Sequence, residues 1–213
     1  MITETLKKPG IPILNNPVGI DAAIQRIQIS IASLSWLAKS FGRAWTIPQN
    51  QGNQKIVEPM VYQGSKEYYA VLPNDAFDSY SFFRVAGPRN TEEYRANMNI
   101  GGTYIFKDIV DLIVWVDYKR IDPLKDFIFK EQLIRDVMNK LNRDPNVEVV
   151  RVWDDQADQI YKGYSLKPTH RDLLLYPHDA FRIEMNLRYQ FTCGGEETTS
   201  GGLLLIEGGF LEL

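Results

Sequence analysis

Along residues 180–191, AFRIEMNLRYQF, the side chains Phe181, Ile183, Met185, Leu187, Tyr189 and Phe191 share one parity. Arg182, Glu184, Asn186, Arg188 and Gln190 share the other. A period of two held this long predicts a strand with one apolar and one polar face, extending roughly 40 Å at ~3.3 Å per residue. Its six large apolar groups would contribute roughly 9–18 kcal/mol gross, against roughly 12–24 kcal/mol of backbone ordering. The strand therefore needs ladder partners. The segment TYIFKDIVDLIVWVDYK at 103–119 is the best candidate. Val110, Leu112, Val114, Val116 and Tyr118 line one face, and Ile109, Ile113 and Trp115 share the other with Asp111 and Asp117. That pattern predicts a central strand covered on both sides for part of its length.

VEVVRVW at 147–153 is a further strand. Two β-rich runs in KIVEPMVYQGSKEYYAVLP flank Gln63-Gly64-Ser65 and predict a hairpin. Pro59 places the first run at an edge or a bulge. Two helices are expected. In the first, Asp21 is the N-cap, Ile24, Ile27, Ile31, Leu34 and Ala38 form the apolar face, and Gly42 ends it at C′. The second starts at Asp122-Pro123, a capping side chain before proline at N1, and buries Leu124, Phe127, Ile134, Val137, Met138 and Leu141. Residues 46–54, TIPQNQGNQ, and 154–179 read as loops, and 73–103 as a long loop carrying Arg84, Arg89 and Arg95. Long loops in compact domains are commonly functional, so these arginines are candidate contacts.

The predicted fold is α+β: a mainly antiparallel sheet with two helices on one face, a long loop insertion and extended arms. The domain spans residues 20–192, with an N-terminal arm at 1–19 and a C-terminal arm at 193–213. Three prolines at 9, 12 and 17 favour extended backbone in the first arm, yet Ile11, Ile13 and Leu14 are apolar. It reads either as an arm on another surface or as a frayed terminus. The second arm sets Leu203, Leu204, Leu205 and Ile206, then Phe210 and Leu211, between glycines. An isolated subunit gains little by exposing such clusters, whereas a neighbouring copy would bury them.

The 213 residues, 44% hydrophobic and 24% charged, suit one cored domain with extensions. A net charge of −3 argues against a free-standing nucleic-acid binder. Cys193 is the only cysteine, so an intrachain disulfide and a cysteine-built zinc site are both ruled out. No leader-like segment opens the sequence. The longest apolar run, at 109–116, is interrupted by Asp111 and too short to span a bilayer.

Few motifs suggest chemistry. His170-Arg171-Asp172-Leu173 copies the start of a kinase catalytic loop, but Pro177 stands where asparagine is required. Neither a P-loop nor a nucleophile elbow occurs. His170 and His178 read as surface groups. Asp117-Tyr118-Lys119 resembles the metal-binding half of a Mg²⁺-dependent nuclease site, with Asp117 as ligand and Lys119 steadying the attacking water; Asp75 or Asp108 would supply the second acid. A solvated strand end is the alternative reading. The polar strand face, Arg182, Glu184, Asn186, Arg188 and Gln190, carries both signs of charge and does not suit a phosphate-gripping surface. It is either an ordinary wet face, or it meets a neighbouring subunit, a binding partner or an aqueous channel.

The succession of helix, MVYQGSKEYYAVLP hairpin, DIVDLIVWVDYK, helix, VEVVRVW and FRIEMNLRYQF resembles the tail-terminator and head–tail joining proteins of tailed bacteriophages, including the neck rings of crAss-like phages. The resemblance covers roughly residues 20–192 and rests on element order and the closing strand. It implies a virion structural protein without catalytic residues or cofactors. Its copies would form a homo-oligomeric ring that joins the portal-side connector to the tail, touches adjacent neck or tail rings, stays off membranes, and lets DNA pass without reading its sequence.

Overall fold

The computed structural model describes residues 11–193, apart from 52–53, 65–66, 74, 98–100 and 126. Leu203, Leu204, Leu205, Ile206, Phe210 and Leu211 lie outside the described residues.

The expected α+β architecture is present. Eight strands run in the order β3-β2-β1-β4-β6-β8-β7, with β5 also on β6. They are β1 Lys39–Gln51, β2 Gln54–Gly64, β3 Glu67–Ala70, β4 Ser79–Val85, β5 Thr91–Asn97, β6 Gly101–Asp117, β7 Val147–Trp153 and β8 His178–Cys193. All pairings are antiparallel except β1 with β4. The spine is the β6–β8 ladder, in register from Gly102↔Cys193 to Asp117↔His178 and about 50 Å long at ~3.3 Å per residue. The other edge of β6 is shared: β4 pairs with 110–116 and β5 with 101–106.

The helices are α1 Ile20–Ile31, α2 Tyr118–Ile121, α3 Lys130–Leu141, α4 Ala157–Ile160 and α5 Pro168–Asp172. α1 and α3 cover one sheet face. There Ile20, Ile24, Ile27 and Ile31 of α1 and Leu133, Val137 and Leu141 of α3 meet Val110, Leu112, Val114 and Val116 of β6 and Phe181, Ile183, Met185 and Leu187 of β8. Burial of each such side chain contributes up to roughly 1.5–3 kcal/mol. The opposite face has a second core of Phe41, Val61, Tyr80, Phe82, Ile113, Trp115, Ile160 and Tyr161. The 154–177 segment, with α4 and α5, packs on that face, so β6 is covered from both sides as its pattern predicts.

Several expectations are corrected. Residues 46–54 are not a loop: β1 and β2 stay paired from Ala44↔Val61 to Gln51↔Gln54, while β1 meets β4 only over 39–43. The far part of this hairpin therefore projects past β4. Pro59 is tolerated although β2 lies between β1 and β3. Its carbonyl accepts the N–H of Val71 (3.0 Å), so its nitrogen also points away from β1 and removes no β1–β2 bond. The 73–103 stretch is not a long loop either, since it supplies β4, β5 and the start of β6.

α1 begins at Ile20, with Gly19 at its N-cap at φ 57°, and Asp21 lies inside the first turn. It ends at Ile31, so Gly42 falls within β1. There a Cβ at residue 42 would stand 3.1 Å from Gln28 Oε1, and the close approach explains the glycine. Asp122-Pro123 does not start a helix. Lys125 N–H donates to Asp122 O (3.1 Å), a turn with proline in its second place, and α3 begins at Lys130. Leu124 and Phe127, expected in a helix core, are exposed.

The first arm is tied down where it is described. Gln28 Nε2 donates to Pro12 O (2.9 Å) and Ser40 O (2.7 Å), and Gln25 bonds both the N–H (2.7 Å) and the carbonyl (3.3 Å) of Leu14. Ile11, Ile13 and Leu14 are partly buried, and the Leu14 backbone is held by α1 of its own chain.

Candidate functional site

The polar face of β8 divides into a dry half and a wet half. Arg182 is only 1% exposed. Its guanidinium lies over the Trp153 ring at 5.3 Å, and its Nη1 is 3.6 Å from Asp111 Oδ2. Asp111, buried on β6, also receives Arg84 of β4, whose Nε donates to Oδ2 at 2.8 Å. The β4–β6–β8 register makes this cluster: Arg84 is opposite Asp111, and Asp111 is opposite Glu184. Burial pushes the Asp111 carboxyl up, against the opposing pull of Arg84 and Arg182. Burial likewise lowers the Arg182 guanidinium, which Asp111 partly offsets. Asp111 Oδ1 and Arg182 Nε and Nη1 have no hydrogen-bond partner among the described residues. The cluster holds three strands in register. Arg84 is therefore corrected from a loop contact to an inward-turned strand residue, also bonded to Lys162 O.

Gly163 lets that last bond form. Its φ is +86°, and a Cβ there would sit 2.9 Å from Arg84 Nη1. Gly163→Ala is expected to destabilise the fold by about 1–2 kcal/mol from backbone strain alone. A urea titration checks this; an unchanged midpoint would show that the 162–164 turn relaxes freely.

The wet half is a charge-paired surface. Arg188 makes two bonds to Glu92 (both 2.6 Å), Lys107 pairs with Glu148 (3.0 Å), and Asn186 Nδ2 donates to Glu148 (3.0 Å). Arg188 holds the Glu92 carboxyl below its ordinary value, and Lys107 does the same for Glu148. Gln190 is exposed beyond them. These cations are engaged with acids of their own chain and offer no uniform basic strip.

Arg89 is in the β4–β5 connection. Its guanidinium lies 5.5 Å from the Phe106 ring and 5.9 Å from that of Tyr189, and its Nε is 3.8 Å from Asp108. Asp108 is buried and accepts Tyr189 OH (2.7 Å) and Asn90 N–H (2.9 Å), so it serves as a structural anchor. Arg95 is in β5, and its side chain lies outside the described residues.

Asp117 caps α2. Its Oδ1 accepts the N–H groups of Lys119 (3.0 Å) and Arg120 (3.3 Å), and its Oδ2 faces Arg120 (3.5 Å) and His178 (3.6 Å). The Lys119 ammonium lies over the Tyr176 ring at 5.6 Å. Asp75 meets this region through its backbone carbonyl, which accepts from Arg120 (2.7 Å). No three His, Cys, Asp or Glu side chains converge on a possible metal position among the described residues. The carboxylate is thus occupied by helix donors and the Arg120 guanidinium, the work of an N-cap.

The largest feature that the sequence reading missed is apolar. Near the Asp117↔His178 end of the spine, Leu124 is 94% exposed, Leu175 66%, Phe127 59% and Ile128 57%. Tyr176 is exposed beside them. Near the other end, Tyr104, Phe191 and Val18 are exposed. The run Phe127-Ile128-Phe129 was the available signal, because three consecutive apolar residues do not fit one helix face.

Among the described residues, no helix is long and apolar enough to cross a membrane. No family model matches the chain, and no curated protein matches it.

Proposed function

We propose that this chain is a structural, non-enzymatic subunit of a homo-oligomeric ring in the neck or tail of a tailed-phage virion. The ring joins the portal-side connector to the tail and lets DNA pass. The observation that carries the reading is the exposure of large apolar side chains at both ends of the β6–β8 spine. A subunit that is apolar at opposite ends buries both by head-to-tail repetition, and repetition by rotation closes into a ring. The projecting β1–β2 hairpin adds a second element able to reach a neighbour. The neutralised Arg188–Glu92 and Lys107–Glu148 surface suits passage of DNA without grip.

Mass photometry on the purified chain is the test, supported by negative-stain imaging. Closed oligomers are expected, and a strict monomer at every concentration, alone or with a portal, would overturn the reading. Incubation with DNA and Mg²⁺ addresses the nuclease alternative. No cleavage is expected; cleavage lost in Asp117→Ala would put that alternative first.

A further inference from the structure

We propose that His170 is a pH-sensitive latch on the projecting β1–β2 hairpin: its neutral ring holds the 165–170 stretch against β2, and acidification releases it. The inference does not depend on the ring reading, since every group in it belongs to one chain.

The hairpin is clasped near its base. β3 pairs with β2 only from Met60 to Gly64, so it does not reach the outer edge of β2 at Val57. Ser165 takes that position. Its N–H donates to Val57 O (2.9 Å), and Val57 N–H donates to Ser165 Oγ (3.1 Å). Two residues further on, Lys167 Nζ lies 3.4 Å from Glu58 Oε1. On the other side of the hairpin, β1 has parted from β4 after Arg43. These contacts therefore help to set where the free part of the hairpin points.

His170 holds the clasp in place. Its Nδ1 accepts the N–H of Lys167 (3.2 Å) across the first turn of α5. Only a neutral imidazole has a ring nitrogen free to accept, because the protonated ring donates from both. Protonation turns this bond into a meeting of two N–H groups and sets a second cation beside the Lys167 ammonium. The charged groups facing the ring are Lys167 on its own segment and Glu58 on β2. The adjacent Arg171 is turned to Asp158 of α4 (2.7 Å). Burial, and after it Lys167, hold the imidazole below its ordinary value, and Glu58 opposes them. The closed clasp thus takes up a proton less readily than the released one. Its stability is complete above the ordinary histidine value of about 6.5 and is lost as pH falls from there towards the lowered folded value.

Amide hydrogen exchange on the full-length chain at pH 7.5 and 5.5, corrected for the intrinsic rate at each pH, tests this. Protection of the Val57, Ser165 and Lys167 amides is expected to fall about threefold to tenfold on acidification, the ceiling of about tenfold being set by one pH unit below the ordinary histidine value. Protection over 110–116 of the spine is expected to stay unchanged. His170→Asn places an amide oxygen where Nδ1 stands and does not titrate. It is expected to keep the protection at both pH values, and His170→Ala to lose it at both. His178→Asn is expected to leave the wild-type response intact. Equal protection of the wild type at the two pH values would overturn the proposal. So would a drop that persists in His170→Asn or disappears in His178→Asn. Full protection in His170→Ala would overturn it too, by showing that the ring does not hold the clasp.

Discussion

Asp111→Ala is expected to destabilise the protein by about 3–5 kcal/mol, because it strands a buried guanidinium. For a chain of this size that lowers Tm by roughly 6–20 °C. The reason lies in the geometry. Arg182 is 1% exposed, and Asp111 is the carboxylate that both Arg182 and Arg84 face in the fold. Without it, two cations confront each other between β4 and β8 with little water to screen them. Asp111→Asn should fall between, since an amide can still accept from Arg84. The double variant Asp111→Leu with Arg182→Met should recover much of the loss, because apolar groups of similar volume commonly replace buried ion pairs without penalty. Thermal unfolding of the four proteins checks the ordering. A loss below about 1 kcal/mol for Asp111→Ala would mean that water reaches the cluster, contrary to its burial.

Trp115→Ala should be comparably severe, at about 3–5 kcal/mol. Trp115 is fully buried in the second core and stacks on Tyr80 and on His178, each with ring centroids 5.4 Å apart. Its indole N–H donates to Leu173 O at 2.8 Å, which ties the 173–177 stretch to the sheet. Trp115→Phe keeps most of the packing and loses this bond, so a loss of about 1–2 kcal/mol is expected, together with faster amide exchange over 173–177. That stretch carries Leu175 and Tyr176 of the apolar patch. The substitution should therefore weaken assembly more than its stability loss alone accounts for. Equal stability of Trp115→Phe and wild type would remove the role assigned to the Leu173 bond.

How far the fold was legible varies with the physics of each segment. β7 and β8 were readable because alternation is a local property that needs no knowledge of the partner. β6 was readable because one apolar run carries two faces, matched by the two cores. The β1–β2 extension was not: TIPQNQGNQ has no apolar alternation, yet a two-stranded ladder forms from backbone bonds whatever its side chains are. The start of α3 was misplaced because Asp-Pro favours both a helix N-terminus and a turn. Leu124 and Phe127 were then assigned to a helix core, which hid the patch. α1 stopped short of its apolar spacing, since Leu34 is buried from a turn after the helix end.

The candidate surface was less legible than the fold. Arg182, Glu184, Asn186, Arg188 and Gln190 look alike along the strand, but Arg182 is buried and Arg188 and Gln190 are exposed. The residues that make the difference, Trp153 and those of 154–177, come from elsewhere in the chain. By itself the sequence determined which residues share a strand face, because side chains alternate along any extended backbone. Only the tertiary structure decided which part of that face is roofed, which arginine meets Asp111, and which apolar residues stay uncovered. Burial depends on what packs above a residue, and no local period encodes it.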